Sequence, residues 1–305
     1  PMALQPARII CAVDFSSLTP PAVDLATEIA RTFDAELFLF HAVFHDNDPV
    51  RDGNVTGRAN RWRIEADEHL ADLNQLMTKT DVRWQPILSQ GEPVAELDKA
   101  IRRHRIDLAL AASHDVSALK RLFIGTVIER MARRLSIPFM IMRTPHKPSP
   151  FRFERILVSC SANQSDRTLL ETALLFRTLF QAELHLCHAI ESPLDVDVVD
   201  PTEGPYEEVQ ALLRHRLQAR MVKMLADMSE QPVVPETALF EAAPHEALRA
   251  YARQCHPDLI IVGVKPEGVI KKRLIGSTTE SVVRRAKATV LIVPLPEAGS
   301  RKEKR

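Results

Sequence analysis

Glycine is scarce: nine residues in a chain of 305. That excludes a glycine-rich linker protein and a collagen-like one. Net charge is absent as well. Lys and Arg total 40, and Asp and Glu total 40. Nucleic-acid binders and membrane-surface proteins carry a basic excess, so neither nucleic acid nor membrane is an expected partner. No apolar run approaches the roughly 18 residues of a membrane span. The first residues, Pro1 to Arg8, lack a basic stretch followed by an apolar one, so no signal peptide is expected. Cysteine is limited to Cys11, Cys160, Cys187 and Cys255, with no CxxC pair. They read as small buried hydrophobes in a reducing compartment, and the cytoplasm is the expected location. What remains is ordinary for a soluble globular protein: 45% apolar and 26% charged residues. The length suggests about two domains.

The chain repeats itself. Arg8-Ile9-Ile10-Cys11-Ala12-Val13 returns as Arg155-Ile156-Leu157-Val158-Ser159-Cys160, an offset of 147 (155 − 8). Ala35-Glu36-Leu37-Phe38-Leu39-Phe40-His41-Ala42-Val43 returns at the same offset as Ala182-Glu183-Leu184-His185-Leu186-Cys187-His188-Ala189-Ile190, with six of nine residues identical. Later the offset becomes 151 (258 − 107): Asp107-Leu108 matches Asp258-Leu259, and Gly125-Thr126 matches Gly276-Ser277. Two related domains in tandem explain this. The expected division is residues 1–143, a proline-rich linker over 144–154, a second domain over 155–296, and a solvated tail over 297–305.

Within each repeat, apolar strands alternate with amphipathic helices. In the first, strands are expected over 8–13, 36–43, 82–88, 107–112 and 137–142. Helices are expected from Thr19, an N-cap candidate before Pro20-Pro21, to about Phe33, then after the loop 45–58, over 92–104 and over about 126–135. This alternation implies an α/β fold: two tandem doubly wound, Rossmann-like domains, each a five-stranded parallel sheet with helices on both faces. Ligands of such sheets bind at the carboxyl ends of the strands, at the topological switch point.

The informative segment follows the fourth strand of the second repeat. Leu259 to Gly263 reads as a strand ending at glycine. A basic loop with Lys265, Lys271, Lys272 and Arg273 follows, and Gly276-Ser277-Thr278 opens a helix. Free amides and hydroxyls at a helix start suit a phosphate. The bland alternative is an ordinary turn, a helix cap and a solvated basic face. Gly263 and Gly268 have the glycine spacing of a Walker A loop, but Val269-Ile270 stand where Lys-Ser/Thr belong. No GxGxxG follows either first strand.

These residues resemble the universal stress protein family, specifically its tandem two-domain members, over about 8–143 and 155–294. The resemblance implies the fold of the adenine nucleotide alpha hydrolase-like group. Family domains begin with a strand ending in Asp and carry Gly-x2-Gly-x9-Gly-Ser/Thr after the fourth strand. In nucleotide-binding members the Asp contacts ribose, backbone at the end of the second strand contacts adenine, and the glycine motif with its hydroxyls holds phosphate. Carried over, the first repeat offers Asp14, Val43, Gly125 and Thr126, together with the family turn Gly91-Glu92-Pro93. It has Ala112 and Asp115 for the first two glycines, and a carboxylate there opposes an anion. The second offers Ile190, Val262, Gly263, Lys265, Gly276, Ser277 and Thr278. It has Pro266 for the middle glycine, which removes a backbone donor, and Ser161 where the first repeat has Asp14.

The resemblance therefore implies a cytoplasmic stress-response binding module, not an enzyme, with ATP the expected ligand in the second repeat. The competing expectation is a nucleotide-independent scaffold or carrier of an apolar molecule, with both motifs degenerate. It also implies that the repeats pair through their fifth strands, 137–142 beside 290–294; further homodimerisation is left open. His185, His188, Cys187, Cys255 and His256 invite a soft-metal site, but no compact ligand spacing supports one, and none is expected. Asp14 with His41 or His114 suggests acid–base work, yet no nucleophile accompanies them. Met221, Met224, Leu225 and Met228 form a stripe at helical spacing that reads as core. Arg133-Arg134 and Arg284-Arg285 fall at helix C-termini, where they suit the dipole.

Overall fold

The computed structural model describes residues 4–43, 55–78, 80–113, 126–143, 152–161, 163, 166–190, 206–229, 233–265 and 276–296, with backbone only for 55–63, 126, 206–207 and 209–210. The linker residues 144–151, the tail 297–305 and the loop 45–54 lie outside the described residues. The chain forms two compact units that divide between Phe151 and Arg152.

The first unit runs β1 (Arg8–Ala12), α1 (Thr19–Phe33), β2 (Glu36–Val43), α2 (Val55–Leu76), β3 (Trp84–Gln90), α3 (Pro93–His104), β4 (Leu108–Ala112), α4 (Thr126–Arg134) and β5 (Phe139–Met142). Every strand pair is parallel, in the order β3-β2-β1-β4-β5. The second unit repeats the plan as β6 (Arg155–Ser159), α5 (Arg167–Phe180), β7 (Glu183–Ala189), α6 (Tyr206–Ala226), β8 (Glu236–Phe240), α7 (Pro244–Cys255), β9 (Leu259–Val264), α8 (Ser277–Arg285) and β10 (Thr289–Pro294). Its order is β8-β7-β6-β9-β10, again all parallel. The chain steps from β1 outward through β2 and β3, then returns to β1's other side with β4. The crevice between the carboxyl ends of β1 and β4 is thus the switch point of the first unit, and that between β6 and β9 its counterpart.

The central strands are apolar because both of their faces are covered. Ile9, Ile10, Leu37, Leu39, Ile156, Leu157 and Val158 are fully buried. Each such side chain contributes about 1.5–3 kcal/mol on burial. Phe153, Phe176 and Phe180 pack together beneath the second sheet, with ring centroids 5.1–6.2 Å apart. The repeated Asp-Leu dipeptide has a structural reason. Asp107 Oδ2 accepts the amides of Ala7 and Arg8 at 2.9 and 3.0 Å, and Asp258 Oδ2 accepts those of Glu154 and Arg155 at 2.9 Å each. Each aspartate anchors the start of its unit's first strand.

Some local expectations need correction. Thr19 is not the N-cap of α1; Leu18 holds that place without a side-chain bond. The Thr19 hydroxyl donates instead to Asp14 Oδ1, 3.2 Å away. The fourth strand of the second unit does not stop at Gly263 but continues to Val264, because Val293 and Pro294 of β10 keep pairing with it. β3 lies two residues later than expected. Arg134 does more than face a helix dipole: with Arg102 of α3 it clasps the buried Asp98 carboxylate, joining α3 to α4. Met221 and Leu225 are buried, as a core stripe requires, while Met224 and Met228 are half-buried.

Candidate functional site

In the first unit the turn after β1 is built around Asp14. Its Oδ1 accepts the Ser16 amide at 3.0 Å and the Thr19 hydroxyl at 3.2 Å. Burial alone would raise this carboxyl, but the bonds from Ser16 and Thr19 outweigh it and hold Asp14 below the usual carboxylate range. The side chain remains exposed at the crevice. Phe15 follows with φ +56. Its ring stacks on His69 of α2, with centroids 4.4 Å apart and planes 9° apart, and meets His41 of β2 edge-on at 4.8 Å. His41 sits 4.6 Å from His69.

The His41 Nδ1 lies 2.8 Å from the Val13 carbonyl oxygen. A carbonyl can only accept, so Nδ1 carries the proton. Burial pushes the His41 ring below the usual histidine range, and neighbouring His69 pushes the same way; the Val13 carbonyl and Asp14 oppose them and lose. At the end of β2, the Val43 carbonyl accepts the Gly91 amide at 3.1 Å. Gly91 has φ +143, and a Cβ there would stand 3.0 Å from Glu96 Oε1. Glu92 caps α3, accepting the amides of Val94 and Ala95, and Arg130 of α4 pairs with it at 2.7 Å. Gly125, His114 and Asp115 lie outside the described residues, and Thr126 is described by its backbone alone, at the start of α4.

The second unit rebuilds the same turn with its groups exchanged. The Ser161 hydroxyl donates to Asp166, at 2.9 Å from Oδ1 and 3.1 Å from Oδ2, and the Ser161 amide donates to Oδ2 at 2.6 Å. Offset by 147, Ser161 matches Asp14 and Asp166 matches Thr19. The carboxylate expected to be missing from this repeat is present, but on the other partner and buried. Comparing positions 19 and 166 alongside 14 and 161 would have exposed the exchange in the sequence. His188 repeats the His41 arrangement, its Nδ1 2.9 Å from the Cys160 carbonyl oxygen. The Ile190 amide donates to the Phe240 carbonyl at 2.8 Å.

At the switch point, the two glycines of the second repeat differ. A Cβ on Gly263 would stand 2.7 Å from Leu295 Cδ1, whereas one on Gly276 would meet nothing within 4 Å among the described residues. Gly263 is shaped by packing, while among the described residues nothing crowds Gly276. The Thr279 hydroxyl donates to the Gly263 carbonyl at 3.2 Å and ties the start of α8 to β9. The N-cap Gly276 offers no side-chain bond, so the amides of Ser277, Thr278 and Thr279 have no acceptor within the helix. Ser277 is exposed, Thr278 half-buried, Val262 buried and Lys265 exposed. The α8 N-terminus can therefore accept an anion. Pro266, Gly268, Lys271, Lys272 and Arg273 lie outside the described residues.

Of the remaining histidines and cysteines of this unit, Cys187, Cys255 and His185 all neighbour Tyr251, and His188 lies apart from them. His185 Nδ1 is 3.0 Å from the Tyr251 hydroxyl, on the sheet face opposite His188. Cys11 and Cys187 are pushed up to about 12 by burial, which leaves their thiols protonated and inert. All four cysteines are free and buried. Among the described residues, no three His, Cys, Asp or Glu side chains are grouped to hold a metal ion. Among them, too, no helix is long and apolar enough to cross a membrane.

With this geometry in hand, the comparisons with known proteins are direct. The model of the universal stress protein family matches residues 7–143 and again 152–294. A universal stress protein of Methanocaldococcus jannaschii is 22% identical over 163 residues, 53% of this chain and 95% of its own. One from Bacillus subtilis is 22% identical over 147 residues, 45% of this chain and 98% of its own. Among solved structures, a universal stress protein from Archaeoglobus fulgidus superposes with a TM-score of 0.70 at 18% identity, over 94% of this chain and 98% of that one. A functionally unknown Pseudomonas aeruginosa protein superposes with a TM-score of 0.67 at 15% identity, over 95% and 93%. These likenesses carry the fold.

Proposed function

Because this chain belongs to the universal stress protein family, with two family domains in tandem, we propose that it is a non-enzymatic binding module for an adenine nucleotide, held in the second unit. The observation that carries this is the start of α8. The start of α8 offers the amides of its first turn, which have no helical acceptor, beside the hydroxyl-bearing Ser277 and Thr278, and Gly276 is uncrowded among the described residues. ATP phosphates are the ligand of matching charge, and Lys265 adds to the attraction. On this reading Gly263 and Val262 form the strand end behind the phosphates, and Pro266, which has no backbone donor, lies outside the described residues. Ile190 and Ser161 lie on the base and ribose side. In the first unit Asp14 and Val43 hold the equivalent positions and serve their own turns, while the sequence there carries Asp115, and Gly125 and the Thr126 side chain lie outside the described residues. Pairing of the repeats through their fifth strands enters this proposal from the family resemblance alone, and self-association through further surfaces is not needed for it.

Isothermal titration with Mg-ATP tests the reading. Binding is expected at one nucleotide per chain, and Gly276→Asp, which sets a carboxylate at the start of α8 where nothing among the described residues crowds it, is expected to abolish it. No heat and no shift in melting temperature at millimolar ligand would sink it. A second reading has its own support. Asp166 is buried on Ser161, and the Ile190 amide is already donated to Phe240, so ribose and base lose two usual partners. On that reading the protein is a nucleotide-independent scaffold or a carrier of an apolar molecule. Native mass spectrometry of freshly purified protein separates the carrier form, since an apo mass alone counts against it. A turnover assay of wild type against Ser277→Ala checks the non-enzymatic assignment: any hydrolysis lost in the variant would overturn it.

A further inference from the structure

The two units differ on the face where their third and fourth helices meet. α3 and α7 have the same bounds at an offset of 151 (244 − 93), and so do α4 and α8 (277 − 126), so their residues compare one to one. In the first unit ion pairs cross that face. Arg134 Nε of α4 lies 3.0 Å from Asp98 Oδ2 of α3, with Arg102 on the same oxygen, and Arg130 pairs with Glu92 at 2.7 Å. In the second unit both acids are gone. Ala243 stands for Glu92 and Arg249 for Asp98, while Arg253 and Arg285 repeat Arg102 and Arg134. We propose that Arg249, Arg253 and Arg285 form a docking surface for an acidic segment of a partner protein, whose carboxylate takes the place that Asp98 fills in the first unit. Arg285 closes α8 at the end away from Ser277, so this surface is separate from the nucleotide site and does not depend on it.

The first unit shows what this arginine pair holds. One buried carboxylate on α3 is clasped by two guanidinium groups from two helices. Guanidinium donors match a carboxylate in plane and in charge. The second unit keeps both arginines and keeps α7 packed on α8, but it supplies no carboxylate. Among the described residues, the guanidinium groups of Arg249, Arg253 and Arg285 make no hydrogen bond or ion pair, whereas neighbouring Arg284 is held by Glu280 at 2.9 Å. All three are exposed. Glu246, one turn before Arg249 on α7, is exposed too and pairs with none of them. Arg249 in place of Asp98 turns two cations around an anion into three cations, and like charges one turn apart on a helix repel. The dipole at the helix C-termini accounts for Arg253 and Arg285. It gives little to Arg249, which sits in the middle of α7. An incoming carboxylate relieves the repulsion and meets donors from both helices.

The test is fluorescence anisotropy of the full chain with a fluorescein-labelled oligo-glutamate peptide at low salt, with an oligo-serine peptide of the same length as control. Binding of the glutamate peptide alone is expected, and it should weaken as salt is raised. Arg249→Asp restores within the chain the acid that the first unit has. It is expected to weaken peptide binding roughly tenfold or more and to leave the melting temperature the same or higher. Arg253→Gln combined with Arg285→Gln is expected to weaken binding as much, and serves if Arg249→Asp fails to fold. No binding of the glutamate peptide by wild type, or equal binding by the folded variants, overturns the proposal. So does displacement of the peptide by inorganic phosphate at concentrations where acetate has no effect, because the surface would then select phosphate over carboxylate.

Discussion

Gly263 and Gly276 belong to one motif, yet they answer to different forces. A methyl group on Gly263 must displace Leu295, which is buried. Gly263→Ala is therefore expected to destabilise the second unit by about 1–3 kcal/mol. Combining it with Leu295→Ala should recover part of that loss in a chemical-denaturation double-mutant cycle. Gly276→Ala has no such neighbour to displace among the described residues and should cost only the cap preference of α8, about 0.5–1 kcal/mol. The motif's spacing was legible in the sequence; that its first glycine serves packing was not, because Leu295 lies 32 residues away (295 − 263) and only the fold brings it near. Histidine 41 gives a second test at this scale. Its folded pKa is lowered, so the unfolded chain takes up the proton first. Its contribution is present above the ordinary histidine range and is lost as pH falls through it. Denaturation midpoints measured from pH 8 down to 5 should decline, and His41→Gln, which keeps a donor for Val13 but cannot titrate, should flatten the decline. Asp14, also lowered, adds a further loss in more acidic solution.

At the scale of elements, periodicity was a good guide to strand and helix identity and a poorer one to their ends. β9 runs past its glycine because β10 goes on pairing with it. α1 starts after Leu18 rather than Thr19 because the Thr19 hydroxyl is engaged with Asp14. The turns after β1 and β6 were half legible: position 161 read as a lost carboxylate until the partner at 166 was placed beside it. This pair predicts its own coupling. Ser161→Asp alone sets two carboxylates within hydrogen-bond distance and should cost about 1–3 kcal/mol at neutral pH. The penalty should shrink on acidification, as one of the two takes a proton. Ser161→Asp with Asp166→Thr recreates the arrangement of the first repeat and should return to within about 1 kcal/mol of wild type by thermal or chemical unfolding.

For the whole molecule, tandem duplication was visible in the sequence through two constant offsets, and the parallel α/β architecture followed from it. How the turn after each first strand is packed was not visible, because Phe15, His41 and His69 meet from three separate elements. The proposed function makes a prediction at this scale: saturating Mg-ATP should occupy one site per chain, and a ratio of two would contradict the assignment of the nucleotide to the second unit alone. The exchanged pair, Asp14 with Thr19 and Ser161 with Asp166, also bears on how the two halves diverged. From a common ancestor with either arrangement, the other needs two substitutions, and their order is not neutral. Acquiring the second carboxylate first passes through a repelling acidic pair. Losing the first carboxylate first passes through two hydroxyls, which can still donate to one another and give up about 1 kcal/mol. The physical chemistry of one turn thus ranks the routes, and the step through paired hydroxyls is the one a lineage could survive.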